Sequence, residues 1–127
     1  MGEKAIRIEA GGVRLYAILS DTATAAAFWE ALPLEGKVRL YGQSILVDAS
    51  LGVPLEPIAR ASVKAGDLAF WPDGRAVGLF FGKTPASTGD DPAAASPVNV
   101  FGRITGDAGR LARVIEGAKV KLTALEG

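Results

Sequence analysis

Apolar and polar side chains alternate along most of this chain, as they do in β-strands that bury one face. In residues 5–10, Ile6 and Ile8 fall on one side of an extended backbone and charged side chains fall on the other. The pair Gly11-Gly12 follows, and glycines supply the positive φ angles of a tight turn without strain. Because the alternation resumes over residues 13–19, the sequence predicts a β-hairpin there.

One segment has a helical period instead. Ala25 and Phe28 lie on one helix face, and hydroxyl and carboxylate side chains just before them can cap a helix N-terminus. Pro33 ends the pattern, since proline cannot continue a helix. The sequence therefore predicts one short amphipathic helix over residues 22–32, and a second, shorter helix that begins at Asp107.

The remainder of the chain consists of short alternating segments separated by turns rich in glycine, proline and aspartate. Residues 83–97 are rich in Ala, Ser, Asp and Pro and are predicted to form a long loop. Many short strands at this spacing favour a mostly β fold, namely a closed eight-stranded β-barrel with one or two short helices, because closure removes exposed sheet edges. Further predicted strands lie near residues 38–41, 44–48, 68–71, 76–81, 98–105 and 118–125.

The amino-acid composition excludes several kinds of binding and catalytic site. Lys and Arg total 14, as do Asp and Glu, so the formal net charge is zero and no basic run marks a site for nucleic acid or an anionic membrane. The chain has no cysteine and no histidine, which excludes disulfides, thiolate chemistry, Ser-His-Asp systems and the common zinc sites. We predict neither a cofactor nor a metal.

Length and apolar content set the expected organisation. The 127 residues, 49% of them hydrophobic, are enough for one core, so we predict a single domain over residues 1–127. Residues 1–10 mix Lys, Arg and Glu with apolar residues, unlike a secretory signal peptide, and no apolar run is long enough to span a bilayer. Together with the absence of cysteine, these features favour a cytoplasmic location.

Three stretches together resemble the cyclophilins, the family of peptidyl-prolyl isomerases. Residues 24–32, which contain the pattern Ala-Ala-Ala-Phe-Trp-Glu-Ala-Leu, resemble the first cyclophilin helix. Residues 66–71, Gly-Asp-Leu-Ala-Phe-Trp, and then residues 79–81, Leu-Phe-Phe, resemble a Gly-x-Leu strand and the strand that carries Gln-Phe-Phe. Residues 99–104, Asn-Val-Phe-Gly-Arg-Ile, are similar to the family's Val-Val-Phe-Gly-Lys-Val strand.

The sequence resembles a small group of atypical prokaryotic cyclophilin-like proteins more closely than it resembles the typical cyclophilins. Residues 70–72, 79–85 and 95–100 look like the signature of that group. Its activity is not settled, so the resemblance implies a cyclophilin-like architecture more firmly than a function.

The resemblance also implies a groove on the outer wall of the barrel. Arg39 lies near the position of the arginine with which cyclophilins hydrogen-bond the prolyl amide, and Phe81 falls at the phenylalanine of their proline pocket. Leu79 stands where the family has a glutamine, and Val98 where it has a groove histidine. These replacements predict weak or absent prolyl isomerase activity.

Three functional hypotheses remain open. The first is a cleft that binds a proline-containing peptide or a small apolar ligand without turnover. The second is an active isomerase in which Arg39 lies beside a proline pocket at Phe81. The third is a homo-oligomer contact on an apolar face around Trp71. The predicted groove residues are Trp71, Leu79, Phe80, Phe81, Val98 and Asn99.

Overall fold

A computed structural model of the protein describes residues 4–125, so the domain limits predicted at residues 1 and 127 lie outside the described residues. The described chain has one α-helix, α1 (Ala23–Ala31), and one 3₁₀ helix (Ala108–Arg113). Its ten strands are β1 (Ala5–Ala10), β2 (Val13–Leu19), β3 (Leu34–Lys37), β4 (Arg39–Leu40), β5 (Ser44–Asp48), β6 (Arg60–Ser62), β7 (Asp67–Trp71), β8 (Ala76–Phe80), β9 (Ala93–Ile104) and β10 (Lys119–Ala124).

The strands form an open antiparallel sheet, so the predicted closed eight-stranded barrel is wrong. Their order is β3-β10-β1-β2-β9-β7-β8-β5-β4, and β6 pairs with β9 beside this path. Within residues 4–125, β3 and β4 are the two ends of the order, and neither is paired with the other. The mostly β class, the β1–β2 hairpin and the two short helices agree with the prediction.

The two edge strands do not pair with each other because of how the chain connects them. Only Val38 separates β3 from β4, so the two edge strands follow one another along the chain and cannot lie side by side. The backbone of Val38 bonds the residues before β10 instead, because Val38 N donates to Ala118 O at 2.8 Å and Gly117 N donates to Val38 O at 2.8 Å. Alternation reports which face of a strand is buried, but it does not report whether the edges of a sheet meet.

The main core lies on the inner face of the sheet, under α1. Phe28 of α1 and Phe101 of β9 are fully buried, and their ring centroids are 4.6 Å apart. Thr22 caps the helix as its Oγ1 accepts a hydrogen bond from Ala25 N at 3.0 Å, which fits the N-cap predicted at this point. The predicted helix over residues 22–32 is therefore confirmed with ends shifted by one residue.

A second, smaller apolar cluster lies on the outer face of the sheet. Its buried members are Val63, Ala69, Phe80, Ala94 and Val98. All five residues of β8 are buried, because the main core covers one face of this strand and the outer cluster covers the other.

The loop predicted over residues 83–97 is shorter than expected. Strand β9 already begins at Ala93 and pairs there with β6, in the register Ser62↔Ala93 and Arg60↔Val98. Alanine, serine and proline have low strand propensity, and the partner strand that overrides this preference lies some thirty positions earlier in the chain. Neither helix of residues 4–125 is long and apolar enough to cross a membrane.

Candidate ligand groove

An apolar hollow of about 130 Å³ lies on the outer face of the sheet, over the smaller cluster. Strands β5, β7, β8 and β9 supply its floor and walls, and Tyr41 contributes from the turn between β4 and β5. The lining residues are Tyr41, Leu46, Ala69, Trp71, Gly78, Phe80, Ala94, Ala95 and Val98.

Small residues create this hollow. Ala69 of β7 and Gly78 of β8 face each other across the ladder, so the floor carries almost no side-chain volume at this point. A Cβ added at Gly78 would lie 2.9 Å from Cε2 of Phe80 and 3.4 Å from Cδ2 of Leu46. Both atoms are the ends of side chains that line the groove, so any side chain at position 78 would take up groove space.

Trp71 forms one wall. The turn after β7 brings Gly74 against the indole so closely that a Cβ there would overlap the ring, which makes glycine necessary at this position. Pro72-Asp73-Gly74 is one of the turns rich in glycine, proline and aspartate, and a hydrogen bond from Arg75 N to Pro72 O at 3.3 Å closes it. The ring is therefore held by backbone on one side and borders the groove on the other.

The groove carries no charge on its lining side chains. Among the lining residues, the polar side-chain atoms are the Tyr41 hydroxyl and the Trp71 indole nitrogen. The indole nitrogen is buried and has no hydrogen-bond partner in the described part of the chain. Within residues 4–125, no three acidic side chains come together as they would to hold a metal ion.

The structure brings three of the predicted groove residues together and separates others from them. Trp71, Phe80 and Val98 line the groove. Leu79 is fully buried in the main core, and Phe81 packs against that same core from a half-buried position. The split follows from strand geometry, since successive side chains of β8 point to opposite faces.

Asn99 is also predicted for the groove, but its side chain is bonded elsewhere. Its Oδ1 accepts from Glu56 N at 2.8 Å, and its Nδ2 donates to Thr24 Oγ1 at 3.0 Å and to Pro54 O at 2.9 Å. Thr24 in turn donates to the Glu56 carboxylate through both its backbone N and its hydroxyl. Asn99 thus joins β9, helix α1 and the segment before β6, directly next to the groove residue Val98.

Arg39 is exposed and ion-paired. Its Nη2 donates to Asp48 Oδ1 at 2.6 Å, and the two side chains are 48% and 84% exposed. Asp48 ends β5, whereas the ladder partner of Phe80 is Ser44 at the other end of that strand. Four residues of extended chain cover about 13 Å. The Arg39 guanidinium is thus bound at the Asp48 end of β5, whereas Phe81 packs against the main core.

Sequence reasoning missed six lining residues. They are Tyr41, Leu46, Ala69, Gly78, Ala94 and Ala95. The period-two rule already places Ala69 on the face of Trp71 and Gly78 on the face of Phe80, so these two could have been found from the sequence. The others depend on the pairing of β5 with β8 and of β6 with β9, for which the sequence carries no local signal.

Comparison with known proteins identifies the family. The model of the family described as Cyclophilin-like matches residues 4–123. The chain belongs to the cyclophilin-like family. The assignment made from residues 24–32, 66–81 and 99–104 is thereby confirmed.

This cyclophilin-like chain also resembles a solved structure. The solution structure of the hypothetical protein AF2241 from the archaeon Archaeoglobus fulgidus superposes with a TM-score of 0.80 at 32% sequence identity. The match covers 97% of this chain and 95% of the archaeal chain. No curated protein matches the cyclophilin-like chain significantly. The archaeal relative agrees with the resemblance to atypical prokaryotic members of the family.

Proposed function

We propose that this cyclophilin-like domain binds a compact apolar group of a peptide or small molecule in the outer-face groove, with weak or no prolyl isomerase activity. The observation that carries the proposal is the groove lining, which is apolar and contains no charged side chain among the described residues. An apolar hollow gains free energy when an apolar group displaces its water, and a few polar atoms then fix the orientation of the ligand.

The dimensions of the groove support a small occupant. An apolar cavity of about 150 Å³ is enough to hold a benzene molecule. The groove of about 130 Å³ therefore suits one side chain or one small ring, whereas a longer ligand would extend along the exposed Ala95 side. A peptide would thus be held by one anchoring residue with its flanks at the surface.

The position of Arg39 favours binding over catalysis. Isomerisation is accelerated when an enzyme binds the twisted amide more tightly than either planar form, and an arginine serves as donor in cyclophilins. Here the Arg39 guanidinium pairs with Asp48, and no cationic side chain lines the groove in residues 4–125. A ligand in the groove would therefore contact only uncharged side chains.

Two measurements test the proposal. Titration of ¹⁵N-labelled protein with Xaa-Pro peptides and with small apolar molecules should shift the backbone amide signals of Gly78, Ala95 and Val98. Signals that move only in residues 82–92, or nowhere, would contradict binding in the groove. A protease-coupled assay with a Xaa-Pro peptide should give a rate far below that of a catalytic cyclophilin, and a comparable rate would instead establish the isomerase hypothesis.

Self-association is the remaining alternative. If the apolar face around Trp71 were a contact between two copies of the chain, light scattering during size-exclusion chromatography would give a dimer mass. Line broadening of groove signals on concentration, without any ligand, would accompany it. A monomer at high concentration with a ligand-responsive groove supports the binding function.

A further inference from the structure

A second cleft lies on strands β1, β2, β3 and β10 and shares no lining residue with the groove. Its volume of about 860 Å³ falls within the roughly 300–1,000 Å³ that is usual for small-molecule sites. Its charged side chains alternate along the strands with core residues such as Ala10 and Val120, so they point away from the core. The charged lining residues are Glu9, Arg14, Glu35, Lys37, Lys119 and Lys121.

One row of these charges is compensated within the protein. Glu35 is opposite Lys121 in the β3–β10 ladder, and Lys121 is opposite Glu9 in the β10–β1 ladder. Glu9 is in turn opposite Arg14, and the two form an ion pair at 3.3 Å. Opposite charges that face each other across an antiparallel ladder stabilise a sheet. Each charge in this row therefore has a partner on a neighbouring strand.

The next row of the same face is not compensated. Lys37 of β3 is directly opposite Lys119 of β10. Directly opposed residues have Cβ atoms about 4.5–5.5 Å apart, and like charges in that position destabilise a sheet. Neither lysine forms an ion pair with another residue of the described range 4–125. On the other side of Lys119 lies Gly11, whose N donates to Lys119 O at 3.2 Å and whose side supplies no counter-charge.

We propose that Lys37 and Lys119 bind the phosphate group of a small phosphate monoester in the second cleft. Such a group carries a charge of about −1.5 to −2 at pH 7, which matches two ammonium groups, whereas a carboxylate carries a single charge. Each ammonium group offers three donors, and hydrogen bonds between ionised groups are the stronger ones. This inference does not depend on the function proposed for the apolar groove.

The compensated row limits what the rest of the ligand can be. Glu35 lies two positions from Lys37 on the same face of β3, and Glu9 lies beyond Lys121. A second phosphate placed over this row would meet carboxylates, which repel it. A nucleic acid needs a series of cations along its backbone. The cleft therefore favours one phosphate on a neutral remainder.

Glycerol 2-phosphate and glycerol form a matched pair of probes that differ in the phosphate group. Each is titrated into the full ¹⁵N-labelled chain at constant pH and ionic strength, so that general screening of charge does not change. We expect glycerol 2-phosphate to give saturable shifts of the backbone amides of Gly12, Lys37 and Lys119, and glycerol to give none. Shifts that never saturate, or no shifts at these amides, would refute the site.

Variants of single lysines test the assignment of the two rows. Lys37→Gln and Lys119→Gln should each lower the affinity for glycerol 2-phosphate about fivefold or more. Lys121→Gln is the matched control, because it removes the same charge from the same strand and face but from the compensated row; its loss should be at most about twofold. Equal losses in all three variants would mean that only the net charge of the face attracts anions, which would overturn the proposal.

The stability of the same variants tests the premise that the two lysines repel each other. Since removing one of two opposed like charges relieves repulsion, Lys37→Gln should unfold at the same or a higher urea concentration than the wild type. A clearly lower midpoint would show that the lysine stabilises the free protein and would contradict that premise.

Two further titrations test the chemical class of the ligand. Acetate should bind more weakly than glycerol 2-phosphate at the same ionic strength, and equal affinities would show that the lysines do not select phosphate. A short single-stranded oligothymidylate should give no saturable shifts at Lys37 and Lys119. Tight binding of the oligonucleotide there would assign a nucleic-acid surface instead.

Discussion

Leu79 and Phe80 are neighbours in β8, yet their side chains belong to different apolar clusters on opposite faces of the sheet. Leu79 is buried in the main core, and Phe80 forms part of the floor of the groove. This relationship divides the chain's apolar residues into those that hold the fold together and those that also shape the candidate site. The predictions below use that division.

Leu79→Met and Phe80→Leu should separate stability from binding. The swap of Leu79 for Met keeps the buried volume and should cost less than about 1.5 kcal/mol of unfolding free energy. Replacing Phe80 with Leu should cost less than the roughly 3–5 kcal/mol of a truncation to alanine, since much of the apolar volume remains. Only Phe80→Leu should change ligand affinity, measured by titration, while urea unfolding gives both stabilities. A binding change in Leu79→Met alone would contradict the assignment of faces.

Gly78→Ala should weaken ligand binding by filling the groove. The new Cβ would lie 2.9 Å from the Phe80 ring and would push its end toward the space that the ligand occupies. Gly89→Ala is the matched control, because a Cβ at Gly89 meets no heavy atom within 4 Å. We expect a several-fold loss of affinity in the first variant and wild-type affinity in the second. Equal affinity in all three proteins would place the binding site elsewhere.

Asn99→Ala should destabilise the protein through the polar network. It removes three hydrogen bonds, two donated by Nδ2 and one accepted by Oδ1. At about 0.5–1.5 kcal/mol for each bond, the expected loss of unfolding free energy is about 1.5–4.5 kcal/mol. Chemical denaturation measures it.

A double-mutant cycle tests whether that network acts as a unit. Thr24→Val removes the hydroxyl that accepts from Asn99 and donates to Glu56. Because Thr24 and Asn99 share a hydrogen bond, the double variant should lose less stability than the sum of the single losses, by about 0.5 kcal/mol or more. Strict additivity would show that the two side chains act independently.

Arg39→Ala should have little effect on stability or on groove binding. The Arg39–Asp48 pair is solvent-exposed, and such pairs contribute about 0–1 kcal/mol that salt screens. Asp48→Ala provides the matched control, since it breaks the same pair from the other side. Ligand affinity should stay at the wild-type value in both variants. A loss of prolyl isomerase rate in Arg39→Ala but not in Asp48→Ala would support the isomerase hypothesis instead.

Local sequence patterns were sufficient to predict several secondary-structure elements. The alternation of Ile6 and Ile8 and the glycine pair after them specify the first hairpin, and the spacing of Ala25 and Phe28 before Pro33 specifies α1. These elements depend on interactions within a few residues, which any segment of the sequence already contains. The family resemblance was likewise carried by short contiguous stretches, and the match over residues 4–123 agrees with it.

The pairing of strands that are distant in the sequence decided two features that local patterns could not predict, namely the open sheet and the start of β9. The sequence favoured a closed barrel and a loop up to residue 97, whereas β3 and β4 are edge strands that do not pair with each other and β9 starts at Ala93. Both differences depend on which distant strand supplies hydrogen bonds to a given segment. Residue type and period leave that choice open, since an edge strand and a central strand can carry the same alternation.

By itself, the sequence determined the β-rich class, the short helix, the family and the absence of histidine and cysteine chemistry, because each of these follows from residue identity or near-neighbour spacing. Only the tertiary structure decided that Trp71, Phe80 and Val98 share a hollow while Leu79, Phe81 and Arg39 do not line it. The physical reason is that a groove is made where separate strands leave small residues opposite each other. Which strands lie opposite is set by the packing of the whole sheet.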